Sequence, residues 1–320
     1  MSRYIVRRLG YLVPVWLGIS LLAYGLANLA PGDPAYIILR RQTGEAPSDE
    51  AVQALRVQLG LNDPFPVRYG HWIANAVHGD LGTSFRTGEP VLRALTDHFV
   101  ATLQIGVAAL LVGLVVALPV GILSAVRRGR PIDHASRVLA LLGASMPSFW
   151  LGYVLIIVFA VMLKMLPVAG YGDMQHLALP ALTLGLGAAA SLTRLTRASL
   201  LDVLDEDYVR TARAKGLSAR AAVLGHALRS ALIPITTMVG MRFGHLLGGA
   251  VIVETVFAWP GIGKYVVDSI YDRDYPTIQG FVLFMGTVFV LLNLIVDLSY
   301  VWLDPRVRLG SGQAGTRGAG

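Results

Sequence analysis

Six stretches of this chain are long and apolar enough to cross a hydrocarbon core, a task that takes about 20 helical residues. They are residues 9–29, 99–126, 136–163, 177–198, 233–253 and 278–298. With 54% hydrophobic and 15% charged residues, and a mean hydropathy of +0.60, the chain is too apolar for a soluble domain of its length. The pattern predicts an all-α integral membrane protein with six transmembrane helices, the longer of which extend beyond the lipid or bend.

Basic residues set the expected orientation. They gather at Arg3, Arg7 and Arg8, at Arg127, Arg128, Arg130 and Arg137, along 201–230, and at Arg306, Arg308 and Arg317, all on one side of a six-span layout. The positive-inside rule makes that side cytoplasmic and places both termini there, N-in and C-in. Segments 33–97 and 268–274 balance or exceed their bases with acids and fall outside; the acids of 33–97 read as solvated surface charges. The net charge of +7 follows from this topology rather than from nucleic acid, because the bases flank spans and form no stripe interleaved with aromatics. Residues 9–29 exceed a usual signal-peptide core, and Asn28 and Ala30 before Pro31 make a poor cleavage pair, so a retained first helix is expected. The chain has no cysteine, which excludes disulfides and thiolate metal sites.

One domain covering 1–309 is expected, followed by a disordered tail, 310–320, rich in glycine and small residues. Within it, 30–98 forms the outer-face loop region. There Ser48 caps a short amphipathic helix carrying Val52, Leu55 and Leu59, which Gly60 stops, and a second helical pattern carries Tyr69, Trp72, Ile73 and Val77. These small helices read as a folded cap without a ligand of its own.

Residues 201–230 are the one long polar stretch between two spans. Asp205, Glu206 and Asp207 open a short helix that Arg210, Arg213 and Lys215 close, the order a helix dipole prefers. Gly216 supplies a left-handed stop, and Ser218 caps a second short helix through Arg229, carrying Ala222, Leu224, Ala227 and Leu228. A helix-glycine-helix elbow results, presented to water between the fourth and fifth spans.

This elbow resembles the cytoplasmic coupling loop of ATP-binding-cassette importer permeases, whose pattern is Glu-Ala-Ala, three residues, Gly. The triplet here is Arg210-Thr211-Ala212, so the leading acid is missing, and the later Ile-x-Leu-Pro falls on His226, Ala227, Leu228 and Arg229. Both departures are similar to the dipeptide, oligopeptide and nickel branch. The run Gly79-Asp80-Leu81-Gly82-Thr83-Ser84-Phe85-Arg86 resembles a signature of peptide-type permeases. Further likenesses are Ala30-Pro31-Gly32-Asp33-Pro34, Met146-Pro147-Ser148-Phe149-Trp150 and Val253-Glu254-Thr255-Val256-Phe257-Ala258-Trp259-Pro260-Gly261.

The resemblance implies a type I importer permease in the plasma (inner) membrane, forming half of the translocation pathway for short peptides. It implies four kinds of neighbour: a second permease subunit, two ATP-binding ATPase subunits, an extracytoplasmic substrate-binding protein, and membrane lipid. It also implies ATPase coupling through Arg210, Thr211, Ala212, Gly216, His226 and Leu228. Nickel, glutathione or an oligosaccharide are alternative cargoes within the branch. Outside it stand a nucleotide-independent secondary transporter, for which inverted repeats or midplane ion-coordinating acids would be expected, and a membrane anchor that recruits cytoplasmic proteins.

No chemistry of its own is expected. A phosphate-cradling loop ending in Gly-Lys-Ser or Gly-Lys-Thr is absent, since Gly263-Lys264 runs on to Tyr265. ATP and magnesium therefore belong to partner subunits, and the chain needs no cofactor. The seven histidines are scattered, so no metal site is expected, and no spacing suggests a catalytic group.

The fifth stretch carries Gly240, Gly244 and Gly248 on one stripe, a surface for close helix packing, with Arg242 and His245 nearly opposite. Arg242 has two readings: it lines a water-filled route and holds a substrate carboxylate, or it pairs with Asp297 of the sixth stretch. Pro119, Pro147 and Pro180 remove backbone donors where helices can bend. Pro147, beside Ser148 and Trp150, is the kink expected nearest the route.

Overall fold

A computed structural model describes residues 2–29 and 32–303, without the side chains of 2–9, 11, 12, 26, 27, 213, 219, 220, 224, 226, 233 and 296–303. The expected tail, 310–320, lies outside the described residues. Among the described residues the chain is helical throughout, with one isolated β-bridge, Thr83 to Pro90, and no strand.

The helices are α1 Ser2–Leu29, α2 Pro34–Thr43, α3 Asp49–Gln58, α4 Phe65–Val77, α5 Val91–Val126, α6 Pro131–Ser145 and α7 Ser148–Leu155, which runs on as a π-helical turn Ile156–Met162. They are followed by α8 Met174–Leu204, α9 Asp207–Ala214, α10 Ala219–Ala222, a π-helical turn Val223–Ala227, α11 Leu228–Gly249, α12 Val251–Val256, α13 Ile262–Tyr271 and α14 Tyr275–Leu303. Among the described residues three helices, Val91–Val126, Met174–Leu204 and Tyr275–Ile295, are long and apolar enough to cross a membrane, or four if the bent pair below is one span.

The stretch 136–163 is not one straight helix. It divides into α6 and α7, whose axes differ by 106°. The break falls at Met146-Pro147: a proline ring disfavours the α region for the residue before it, and Met146 is extended at φ −76°, ψ 127°. The fifth stretch differs too. The second helix of the elbow does not end at Arg229; α10, the π-helical turn and α11 follow one another with helical dihedrals at both junctions, so the helix of the fifth apolar stretch begins inside the elbow.

The chain divides into two compact units. The first comprises Met1–Val100 with Tyr265–Leu291. In it Asp33 caps α2 by accepting the Ala35 N–H at 3.0 Å, and its other oxygen takes Arg56 at 2.9 Å. Ser48 caps α3 by accepting from Ala51 N–H at 3.3 Å, and Gly60, at φ +64°, follows the helix end. Tyr24 of α1 sits among Phe65, Tyr69 and Trp72 of α4 with ring centroids 5.2–5.7 Å apart, an apolar weld between the two helices.

The second unit comprises Ala101–Lys264 with residues from Leu292 onward. Its centre is α8, which packs against α6, α7 and α11. Asp173 caps α8 by accepting from Gln175 and His176 N–H at 3.0 and 3.1 Å. Small residues let its backbone approach α5: a Cβ on Gly185 would stand 2.7 Å from Val112 and 2.8 Å from the Ala109 carbonyl, and one on Gly121 only 2.6 Å from Thr196. On α11, Gly240 and Gly244 are half-buried and Gly248 is exposed.

Candidate functional site

The elbow stands on an apolar footing. In α9, Thr211 donates its hydroxyl to the Asp207 carbonyl at 2.8 Å, and Arg210 reaches Asp207 at 3.5 Å. Gly216 is left-handed at φ +89°, and the Leu217 N–H closes back on the Ala212 carbonyl at 3.3 Å, the wide bond of a left-handed helix stop. Ser218 then caps α10 by accepting from Ala221 N–H at 3.2 Å. Arg210, Thr211, Lys215, Gly216 and Ser218 are exposed, Ala212 and Leu228 half-buried, and the His226 side chain lies outside the described residues.

Beneath this exposed rim, Val209 of α9 is fully buried with Ala222, Val223, Ala227 and Ala231, against Leu200 of α8 and Ala125 of α5. Tyr208 donates to Ser230 at 3.1 Å. The footing packs α9 against the end of α8 and the start of α11. Val209 is missed by sequence reasoning; it is the one branched aliphatic residue in an eight-residue helix, and only its i, i+3 relation to Ala212 hints at an inner face.

A buried ion pair stands in the same unit. Asp133 of α6, 1% exposed, receives Arg197 of α8 through two parallel bonds, Nε at 2.7 Å and Nη2 at 2.9 Å. The Ser124 hydroxyl and the Gly129 N–H complete its shell at 2.7 and 2.9 Å. Every carboxylate oxygen is satisfied, so the turn joining α5 to α6 is tied to α8.

The bend at Pro147 opens a cavity of about 240 Å³. Met146 and Ser148 flank it, α8 contributes Thr183 and Gly187, and α11 contributes Arg242 and His245. The structure thus brings Arg242 and His245 to the Pro147 break. Trp150 is not part of the lining and is 47% exposed. Arg242 makes no ion pair or hydrogen bond with a described residue, and the Asp297 side chain lies outside the described residues.

Two further acids, beyond the loop 33–97, are buried. Asp274 is fully buried, accepting from the Ser84 hydroxyl at 2.5 Å, the Phe85 N–H at 2.9 Å and the Thr277 hydroxyl at 2.8 Å. The Gly79–Arg86 run is held by that carboxylate, since buried acids persist only when bonded. Glu254 is likewise fully buried: Thr102 donates at 2.5 Å, the Lys264 N–H at 2.9 Å, and a Cβ on Gly261 would sit 2.1 Å from its carboxylate. The glycines after Trp259 leave room for this acid, which folds the turn before α13.

These features define a class: a helical protein with membrane-length apolar helices, a sharply bent helix pair and a polar elbow. Its fold matches two solved transporters. The methionine ABC transporter MetNI in an inward-facing form gives a TM-score of 0.57 at 22% identity over 68% of this chain and 99% of that one. An amino acid ABC transporter with histidines gives 0.52 at 15% identity over 64% and 92%.

Residues 117–309 match the family described as binding-protein-dependent transport system inner membrane component, and residues 1–106 match its N-terminal counterpart. The chain belongs to this family, and is a transport subunit rather than an enzyme. It is 40% identical to the dipeptide transport system permease protein DppB of Escherichia coli strain K12 over 96% of this chain and 99% of that protein. It is 43% identical to the glutathione transport system permease protein GsiC of the same strain, with the same coverage.

Proposed function

We propose that this chain is one of two permease subunits of an ATP-driven importer and forms half of the pathway for short peptides across the plasma membrane. The observation that carries this reading is its near-full-length similarity to a permease named for dipeptide transport. The similarity to a glutathione permease supports glutathione as the alternative cargo.

In this reading the chain, a single permease domain over 1–309, crosses the membrane six times with both termini cytoplasmic. Two ATPase subunits dock on the elbow and supply ATP, magnesium and force, and an extracytoplasmic binding protein delivers the peptide. Arg210, Thr211, Ala212 and Gly216 make the docking edge, with His226 and Leu228 behind it. The apolar footing of Val209 supports that role, because a push on α9 reaches α8 and α11 through packed side chains rather than through a loop. Pro147, Arg242 and His245 line the route in unit two, with Trp150 beside it.

Reconstitution in vesicles tests the reading. Uptake of labelled dialanine is expected only when the ATPases, partner permease, binding protein and ATP are all present. Uptake without ATP, or unaltered uptake after Gly216→Trp together with Thr211→Glu, contradicts it.

A further inference from the structure

We infer that the cavity at the α6–α7 bend is a station for the free carboxylate of the transported peptide, anchored by Arg242. The inference rests on the peptide-permease reading and adds what the pathway recognises.

The cavity walls carry Arg242 and His245 but neither aspartate nor glutamate. A guanidinium at membrane depth is costly without a counter-charge, and Arg242 has none among the described residues. Its planar fork matches a carboxylate with two parallel bonds, the geometry that Arg197 already shows with Asp133 in this unit. The Thr183 hydroxyl is committed to the Leu179 carbonyl at 2.8 Å, whereas the Ser148 hydroxyl makes no bond to a described residue and remains a neutral donor.

The space is kept open by residue choice. An added Cβ on Gly187 or Gly249 would meet nothing within 4 Å, so neither glycine is required by backbone contact. Both line the cavity, and side chains there would occupy the room left for a ligand. A volume of about 240 Å³ holds the end of a peptide beside the guanidinium. An occupant with a carboxylate supplies both the missing negative charge and the bulk.

The test compares uptake of dialanine and dialanine amide by the complete reconstituted transporter with a wild-type binding protein, whose affinity for each probe is measured separately and divided out. Arg242→Gln is expected to lower dialanine uptake about tenfold while leaving the amide within about twofold, with Arg242→Lys intermediate, as loss of one charge-assisted pair predicts. Gly187→Leu is expected to reduce both probes.

Equal losses of acid and amide in Arg242→Gln, reproduced by Asp297→Asn, would assign Arg242 to a structural pair and overturn the station while leaving the peptide reading intact. Full uptake by Gly187→Leu would also overturn it. If the wild-type complex imports neither probe, the peptide reading itself falls and the station falls with it.

Discussion

At the scale of single residues, the buried acids carry more of the architecture than their sequence context reveals. Asp133 accepts four bonds at 1% exposure, two of them from Arg197. Asp133→Ala leaves that guanidinium, a hydroxyl and an N–H unpaired, and is expected to cost about 3 kcal/mol, read as a lowered thermal midpoint of the purified complex. Asp133→Asn should cost less, because the amide oxygen still accepts. Gly216 is a different case: a Cβ there meets nothing within 4 Å, so only its backbone at φ +89° resists substitution. Gly216→Val is therefore expected to destabilise the elbow by about 1–2 kcal/mol and Gly216→Asn by less, seen as faster proteolysis at Lys215 in the valine variant alone. The stop at Gly216 is legible in sequence because polar helices end beside it. The burial of Asp133, Glu254 and Asp274 is not legible, because an aspartate or glutamate near a helix end looks the same in sequence whether it faces water or several donors.

At the scale of elements, helix approach and helix breakage are set by few positions. Gly185 of α8 faces Val112 and the Ala109 carbonyl of α5 below ordinary contact distance. Gly185→Ala is expected to push the helices apart and cost about 1–3 kcal/mol, because backbone cannot yield as a side-chain tip can. Gly249→Ala, with open space around it, should be close to neutral in the same thermal assay. Pro147 is readable as a kink from its ring alone, but the 106° change of axis is not, since the angle depends on how α7 settles between α8 and α12. Similarly, the elbow's two helices are legible from caps and charges, while the continuity of α10 into α11 is hidden. Ser218, Gly225 and Pro234 look like punctuation, yet a π-helical turn carries the chain through Val223–Ala227.

At the scale of the whole molecule, composition and length already imply a membrane protein, and the motif resemblance points to its family before any coordinate is known. Sequence reasoning identifies the elbow through its polarity; the structure adds the buried set around Val209, which packs α5, α8, α9 and α11 together and supports the proposed coupling role. Arg242 and His245 are legible as unusual residues in an apolar stretch, whereas their meeting with the Pro147 break depends on three other helices.

The absence of cysteine makes the central claim directly measurable. A single cysteine replacing exposed Lys215, in cells expressing the complete transporter, should crosslink to the ATPase subunit and resist an impermeant thiol reagent applied from outside. Labelling of that cysteine from outside, with no crosslink to the ATPase, would contradict the account.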